Sequence, residues 1–243
     1  MKKIVFSLLM LVPFGLVSCF SGASESSTEE IETQKMQQQV DSLYKKMSQA
    51  ERVAQLYGIR SSEVVENGKL SLQKCREKIP NGIGHVCQYA CALDLGPNEL
   101  RDFVRDSQNY LINETPLGVP AIFYEEAIIG LAAKGTTVYP QQLGVACSWN
   151  PELATVNTEQ TAEVMRSVGA TLALSPMVDL IRTAYWPRIE ESYGEDGYLS
   201  PAMGVAFIEG LQKNGLKDGV AACTKHFWGY GGGSSLTLSL IHI

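Results

Sequence analysis

Four side chains in this 243-residue chain have types suited to gripping a ligand rich in hydroxyl groups. Glu126 follows Glu125 directly after the apolar run Val119–Tyr124, and an ionised carboxylate, which only accepts hydrogen bonds, can take two from neighbouring hydroxyls. Lys225 and His226 close a second apolar run, Val220 to Thr224, and offer donors. Arg188 adds a planar fork that can hold hydroxyls or a carboxylate in fixed geometry. Each residue also has a structural reading: Glu125 or Glu126 as a carboxylate at a helix N-terminus, Arg188 as the ion-pair partner of Glu190 or Glu195, and His226 as a structural histidine beside a surface lysine. His85, Cys87 and Cys91 lack the paired two-residue spacings of a structural zinc site. Setting Cys19 aside leaves Cys75, Cys87, Cys91, Cys147 and Cys223, an odd and irregular set that reads as small buried thiols on strands rather than a disulfide framework.

These residues need elements to carry them. Beyond residue 80, strand-like runs alternate with helical ones, the pattern of parallel strands joined by crossover helices. The expected strands are Gly82 to Cys87, Val119 to Tyr124, Thr171 to Ser175 and Val220 to Thr224. Helices are expected to open at Pro97 and at Asn150–Pro151, a good N-cap and first-turn pair, with a third from about Tyr198 to Leu211. Upstream, Val40, Leu43, Tyr44 and Met47 fall at helical spacing, and Ser48 with Glu51 forms a capping-box pair ahead of a second short helix. The strand spacing leaves long loops at the strand C-terminal ends, where a barrel builds its site.

The two ends of the chain read differently. Lys2 and Lys3 precede the apolar run Ile4–Val17, too short for a comfortable membrane span, so residues 1–18 are expected to be a signal peptide. Leu16, Val17, Ser18 and Cys19 resemble the bacterial lipobox, which implies acylation of Cys19, export and a membrane anchor; an ordinary secretory signal with an incidental cysteine is the alternative. Phe20 after the cysteine resembles sorting to the outer membrane. Residues 19–39, rich in Ser, Thr, Glu and Gln, are expected to be a flexible linker. The net charge of −6 gives no basic surface to track phosphates and argues against a nucleic-acid partner. The last stretch, 234–243, reads as a tail unlike the rest.

From Val40 to Gly232 the motifs resemble the N-terminal domain of glycoside hydrolase family three. Met47 to Leu56 is similar to its entry helix. Leu117–Pro120 with Phe123–Gly130 resembles its "G-(I/V)-P … F-H-E-E-A-L-H-G" strand and turn, with Tyr124 and Ile129 in place of two histidines. Tyr139–Gln142, Trp149–Leu153, Ser175–Asp179, Arg182 and Trp186–Asp196 are similar to its longest series, with Pro187 in place of a glycine. Lys225–Phe227 with Gly229–Gly231 resembles its "K-H-F" strand end.

The resemblance implies an α/β fold, an incomplete (β/α)8 TIM-type barrel over 40–233, roughly its first half. A full barrel typically takes about 250 residues, and the repeating pattern here runs from about 80 to 230. It further implies that Glu126, Arg188, Lys225 and His226 bind sugar hydroxyls, that no metal or organic cofactor is needed, and that an oligosaccharide or aryl glycoside is the partner. The implied activity is retaining hydrolysis of terminal β-linked glucose or xylose, by two groups about 5 Å apart. In the family the nucleophile lies after the lysine–histidine pair, so this chain is expected to hold substrate without turning it over. A β-N-acetylglucosaminidase is the near alternative, against which Trp228 and Tyr230 argue. A non-catalytic, sugar-binding surface lipoprotein is the other.

Overall fold

The computed structural model describes residues 18–227, 229 and 230, with side chains from residue 30 onward. The expected signal peptide, apart from Ser18, the side chain of Cys19 and the tail 234–243 therefore lie outside the described residues. Two compact units divide at Ser48.

The first unit contains one long helix, α1 (Ser18–Lys46), which covers the segment expected to be a flexible linker. Composition argued against burial there, and burial is indeed slight: from Glu30 to Lys46 every side chain is exposed except half-buried Leu43. The same composition nonetheless suits a helix. Gln, Glu, Lys and Met are good helix formers, and no proline or glycine follows Gly22. Gln37 Nε2 also donates to Asp41 Oδ1 one turn on, at 2.9 Å.

The second unit opens with α2 (Gln49–Ala54) and β1 (Gly58–Arg60). A small antiparallel hairpin follows, β2 (Val65–Glu66) and β3 (Lys69–Leu70). Its turn is Asn67–Gly68, with φ of 51° and 73°; positive φ at both central positions is what a two-residue hairpin turn requires. Next come α3 (Leu72–Lys78), β4 (His85–Cys87), α4 (Tyr89–Ala92) and α5 (Pro97–Glu114). The chain continues through β5 (Ile122–Glu125), α6 (Gln142–Ala146), α7 (Pro151–Ser167) and β6 (Leu172–Ala173), then α8 (Leu199–Gln212) and β7 (Ala221–Ala222). As expected from its side chain, Asn150 caps α7 by accepting from Glu152 N at 3.1 Å.

The main sheet has the order β1-β4-β5-β6-β7, every pair parallel. Strands that neighbour in sequence also neighbour in space, the order of a (β/α)8 barrel, but the described strands form an open arc and not a closed ring. This is the partial barrel the motifs implied.

The helices cover one face of the sheet. Val86 on β4 and Phe123 on β5 are buried there, at 2% and 1% exposure, against Tyr89 and Phe103. Leu100 and Leu111 complete the contact from α5. Around β6 the cover comes from α7 and α8, through Ala162, Met165, Met203, Phe207 and Leu211. The other face, where a closed barrel has its interior, carries Ile122 at 43% exposure and half-buried Cys87 and Tyr124.

The cysteines differ from the buried thiols expected. All five described by side chain are free; Cys75 is buried on α3 and Cys87 half-buried, while Cys91, Cys147 and Cys223 are exposed. Only Cys87 lies within a strand. Short apolar runs overstate strand length, and the cysteines at their edges fall into loops.

Candidate functional site

The site is built at the C-terminal ends of β5, β6 and β7. Glu126 is the first residue after β5. Lys225 lies three residues past β7 but stays in register with the sheet: its N–H donates to Pro176 O at 3.0 Å, and its carbonyl accepts from Val178 N at 2.9 Å. That backbone pairing aims the lysine at the neighbouring loop. Lys225 Nζ lies 2.9 Å from Glu126 Oε1 and 2.8 Å from Oε2, so both carboxylate oxygens share one ammonium. The lysine side chain is 13% exposed and the glutamate 41%, leaving the carboxylate reachable from solvent.

His226 is held by a residue to which the sequence assigned no role. Asp179, 3% exposed, follows β6. Its Oδ2 accepts from His226 N–H at 3.2 Å and contacts Nδ1 at 2.7 Å, and its Oδ1 accepts from Tyr230 N–H at 2.5 Å. A carboxylate accepts only, so Nδ1 carries a proton and donates it to Asp179. Nε2 in turn lies 3.5 Å from Arg188 Nη1, a group that can only donate. Both partners favour the same tautomer.

Arg188 makes a two-pronged pair with Glu191, Nε to Oε1 at 2.8 Å and Nη2 to Oε2 at 2.5 Å. These bonds hold the guanidinium above its ordinary pKa, against the opposing effect of partial burial. The partner is Glu191, not Glu190 or Glu195, because a short helical turn over Ile189–Glu191 brings position i+3 back to the arginine. Tyr230 lies against this group, its ring 5.8 Å from Arg188 Cζ, 4.9 Å from the His226 ring and 5.7 Å from the buried Trp186. All four residues expected to grip a ligand thus meet, as Lys225–Glu126 and Arg188–His226, with Asp179 and Glu191 as anchors.

Two further side chains tie the loops down. Buried Gln142 donates from Nε2 to Met177 O at 3.1 Å and accepts from Met177 N at 3.2 Å. Ser175 Oγ accepts from Ala127 N at 3.0 Å, locking the residue after Glu126 to the end of β6. Glu125 points away from the clamp and is 3% exposed. It accepts from Ala90 N at 2.7 Å. Burial pushes its carboxyl up to about 7, against the opposing pull of the N–H groups of Ala90 and Tyr89. Among the described residues no group of three or more His, Cys, Asp or Glu could hold a metal ion, and no helix is long and apolar enough to cross a membrane.

The model of the glycosyl hydrolase family 3 N-terminal domain matches residues 48–239. The chain belongs to that family. Two proteins of Formosa agariphila are relatives. One is 34% identical over 246 aligned residues, covering 97% of this chain and 32% of its own length. The other, a β-xylosidase, is 46% identical over 124 residues, 47% of this chain and 17% of its own. A β-glucosidase of Erythrobacter marinus superposes with a TM-score of 0.69 at 31% identity, over 76% of this chain and 25% of its own. A β-N-acetylglucosaminidase of Paenibacillus, at 21% identity and a TM-score of 0.63, shares the fold alone. The chain spans about a third or less of the lengths of these relatives. Family 3 membership accounts for the parallel arc.

Proposed function

We propose that the whole protein releases terminal β-linked glucose or xylose with retention, and that the part described here holds the sugar. The observation that carries this is the shared pair of Lys225 and Glu126, at the ends of two strands separated by one other, beside a histidine fixed by a buried carboxylate. A sugar's vicinal hydroxyls can bridge such a pair, donating to Glu126 and accepting from Lys225. Next to this pair, Arg188 Nη1 and His226 Nε2 face each other 3.5 Å apart. The relatives' names support the sugar class, a β-xylosidase and a β-glucosidase.

Glu125, Glu126, Asp179 and Glu191 are each engaged by internal hydrogen bonds or an ion pair, and neither the attacking carboxylate nor the acid of a retaining pair is assigned to them. In this proposal the 243-residue chain binds the sugar, and turnover is a property of the whole protein. By the same proposal the protein is exported and carried on a membrane through acylated Cys19.

Titration calorimetry of the chain with methyl β-glucoside and methyl β-xyloside tests the clamp. Lys225→Met should weaken binding by roughly 10- to 100-fold, the range for losing a hydrogen bond to a charged group. Binding unchanged in that variant would refute the assignment.

A further inference from the structure

Beside the clamp, the loops after β5 and β6 enclose a groove of about 710 Å3. This lies inside the range of small-ligand sites, roughly 300–1,000 Å3. Trp149, Ile181, Arg182, Tyr193 and Glu195 are among the residues that border it. Trp149 is 68% exposed, and its backbone sits at φ 54°, a conformation that a bulky L-residue rarely adopts. The turn that imposes it is closed by Trp149 N–H donating to Ala146 O at 2.9 Å, one residue before the cap of α7. A large aromatic is thus fixed in the open at a groove, where a solvent-facing polar residue would cost nothing.

The polar groups of the groove are complementary in kind. Arg182 and Glu195 are exposed, and among the described residues neither has an ion pair or hydrogen bond. Asp196, by contrast, is occupied in capping α8, where it accepts from Tyr198 and Leu199 N–H. A flat indole face with one free donor fork and one free acceptor suits a pyranose ring. The ring's C–H face is apolar and packs on an aromatic, while its equatorial hydroxyls both donate and accept. Nucleic acid fits poorly, since the groove carries two carboxylates to one cation. The loop from Asp179 to Asp196 borders both clamp and groove, and Ile181 N–H donates to Gly194 O at 3.1 Å to draw its two ends together.

We infer that this groove, organised by Trp149, is a second contact surface for a β-linked oligosaccharide, at the same end of the sheet as the Glu126–Lys225 clamp. The inference rests on reading that clamp as a sugar site. It implies a preference for chains of several units over single sugars.

Nitrogen-15 NMR of the 243-residue chain separates the two sites. Three tryptophans, Trp149, Trp186 and Trp228, supply the indole signals. With xylotetraose or cellotetraose the Trp149 signal is expected to move, in the parent and equally in Lys225→Met. With xylose or glucose alone only the clamp, reported by the His226 amide, is expected to respond. Trp149→Ala should lower tetrasaccharide affinity roughly three- to tenfold and abolish the shifts of Ile181 and Gly194; being exposed, that residue is removable without disturbing the core. Arg182→Ala provides a second variant with the same expectation. A Trp149 signal unmoved by millimolar tetrasaccharide overturns the inference, including when another segment of chain covers the indole. So does a Trp149 shift that vanishes in Lys225→Met, since it would then be relayed from the clamp. A silent His226 amide with a responsive Trp149 would sink the clamp and leave the groove standing.

Discussion

Glu125 and Glu126 are adjacent carboxylates with opposite surroundings: Glu126 faces Lys225 at the site, while Glu125 turns into the packing between β5 and α4. The folded protein holds the Glu125 proton up to about pH 7, whereas an unfolded chain releases it near pH 4.3. Between those values the native state binds more protons than the unfolded state, so this residue's contribution to stability falls as pH rises and levels off above 7. Glu125→Gln keeps an acceptor for Ala90 N–H and removes the charge. The variant should therefore be more stable than the parent at pH 8, by on the order of 3–4 kcal/mol, and indistinguishable from it near pH 4. Urea unfolding at several pH values checks this, and parallel profiles would contradict it. Residues that end an apolar run, such as Glu126, Lys225 and His226, were legible in the sequence because a strand end is a local signal. Asp179 and Glu191 were not given roles, although both stand in the motif series. Asp179 gains its role only from contact with residues 47 and 51 positions onward, which no local pattern encodes. Glu191 depends on one short turn.

At the scale of elements, helices could be read more accurately than strands. Pro97, Asn150–Pro151 and the run toward Leu211 marked α5, α7 and α8 nearly to the residue, since caps and helical periodicity are strong signals. Strands of two to four residues give no periodicity. β1, reading only Gly-Ile-Arg, escaped notice, and so did the β2–β3 hairpin, although Asn67–Gly68 is the dipeptide that could have revealed it. What holds the helical layer to itself is close approach. Gly210 on α8 is buried against α7, and a Cβ there would collide with Thr158 Oγ1 and the Thr155 carbonyl. Thr155 Oγ1 also donates across the interface to Ala206 O at 3.1 Å. Backbone and a buried hydroxyl cannot give way, so Gly210→Ala is expected to destabilise the second unit by about 1–3 kcal/mol. Gly197→Ala, where a Cβ meets nothing within 4 Å, should change stability by less than about 0.5 kcal/mol. Equal denaturation midpoints for the two variants would show that α7 and α8 pack less tightly than this.

On the scale of the whole molecule, the proposed anchor must act without electrostatic help. The chain carries a net charge of −6, and loss of Lys2 and Lys3 with a cleaved leader would bring it to −8. Anionic headgroups repel such a protein, so attachment has to come from buried hydrocarbon. A single acyl chain binds only marginally, with an association constant of about 10⁴ M⁻¹, and stable attachment takes two or more chains. Cys19 lies in the first turn of α1, whose 29 residues span about 44 Å at 1.5 Å per residue. Expressed in a bacterium that processes lipoproteins, the protein should incorporate labelled palmitate and sediment with membranes. High salt should not release it, because no ionic attraction is there to be screened. Cys19→Ala should lose the label and move to the soluble fraction. A protein that leaves the membrane in high salt, or a Cys19→Ala form that stays on it, would show that something other than acyl chains holds it there.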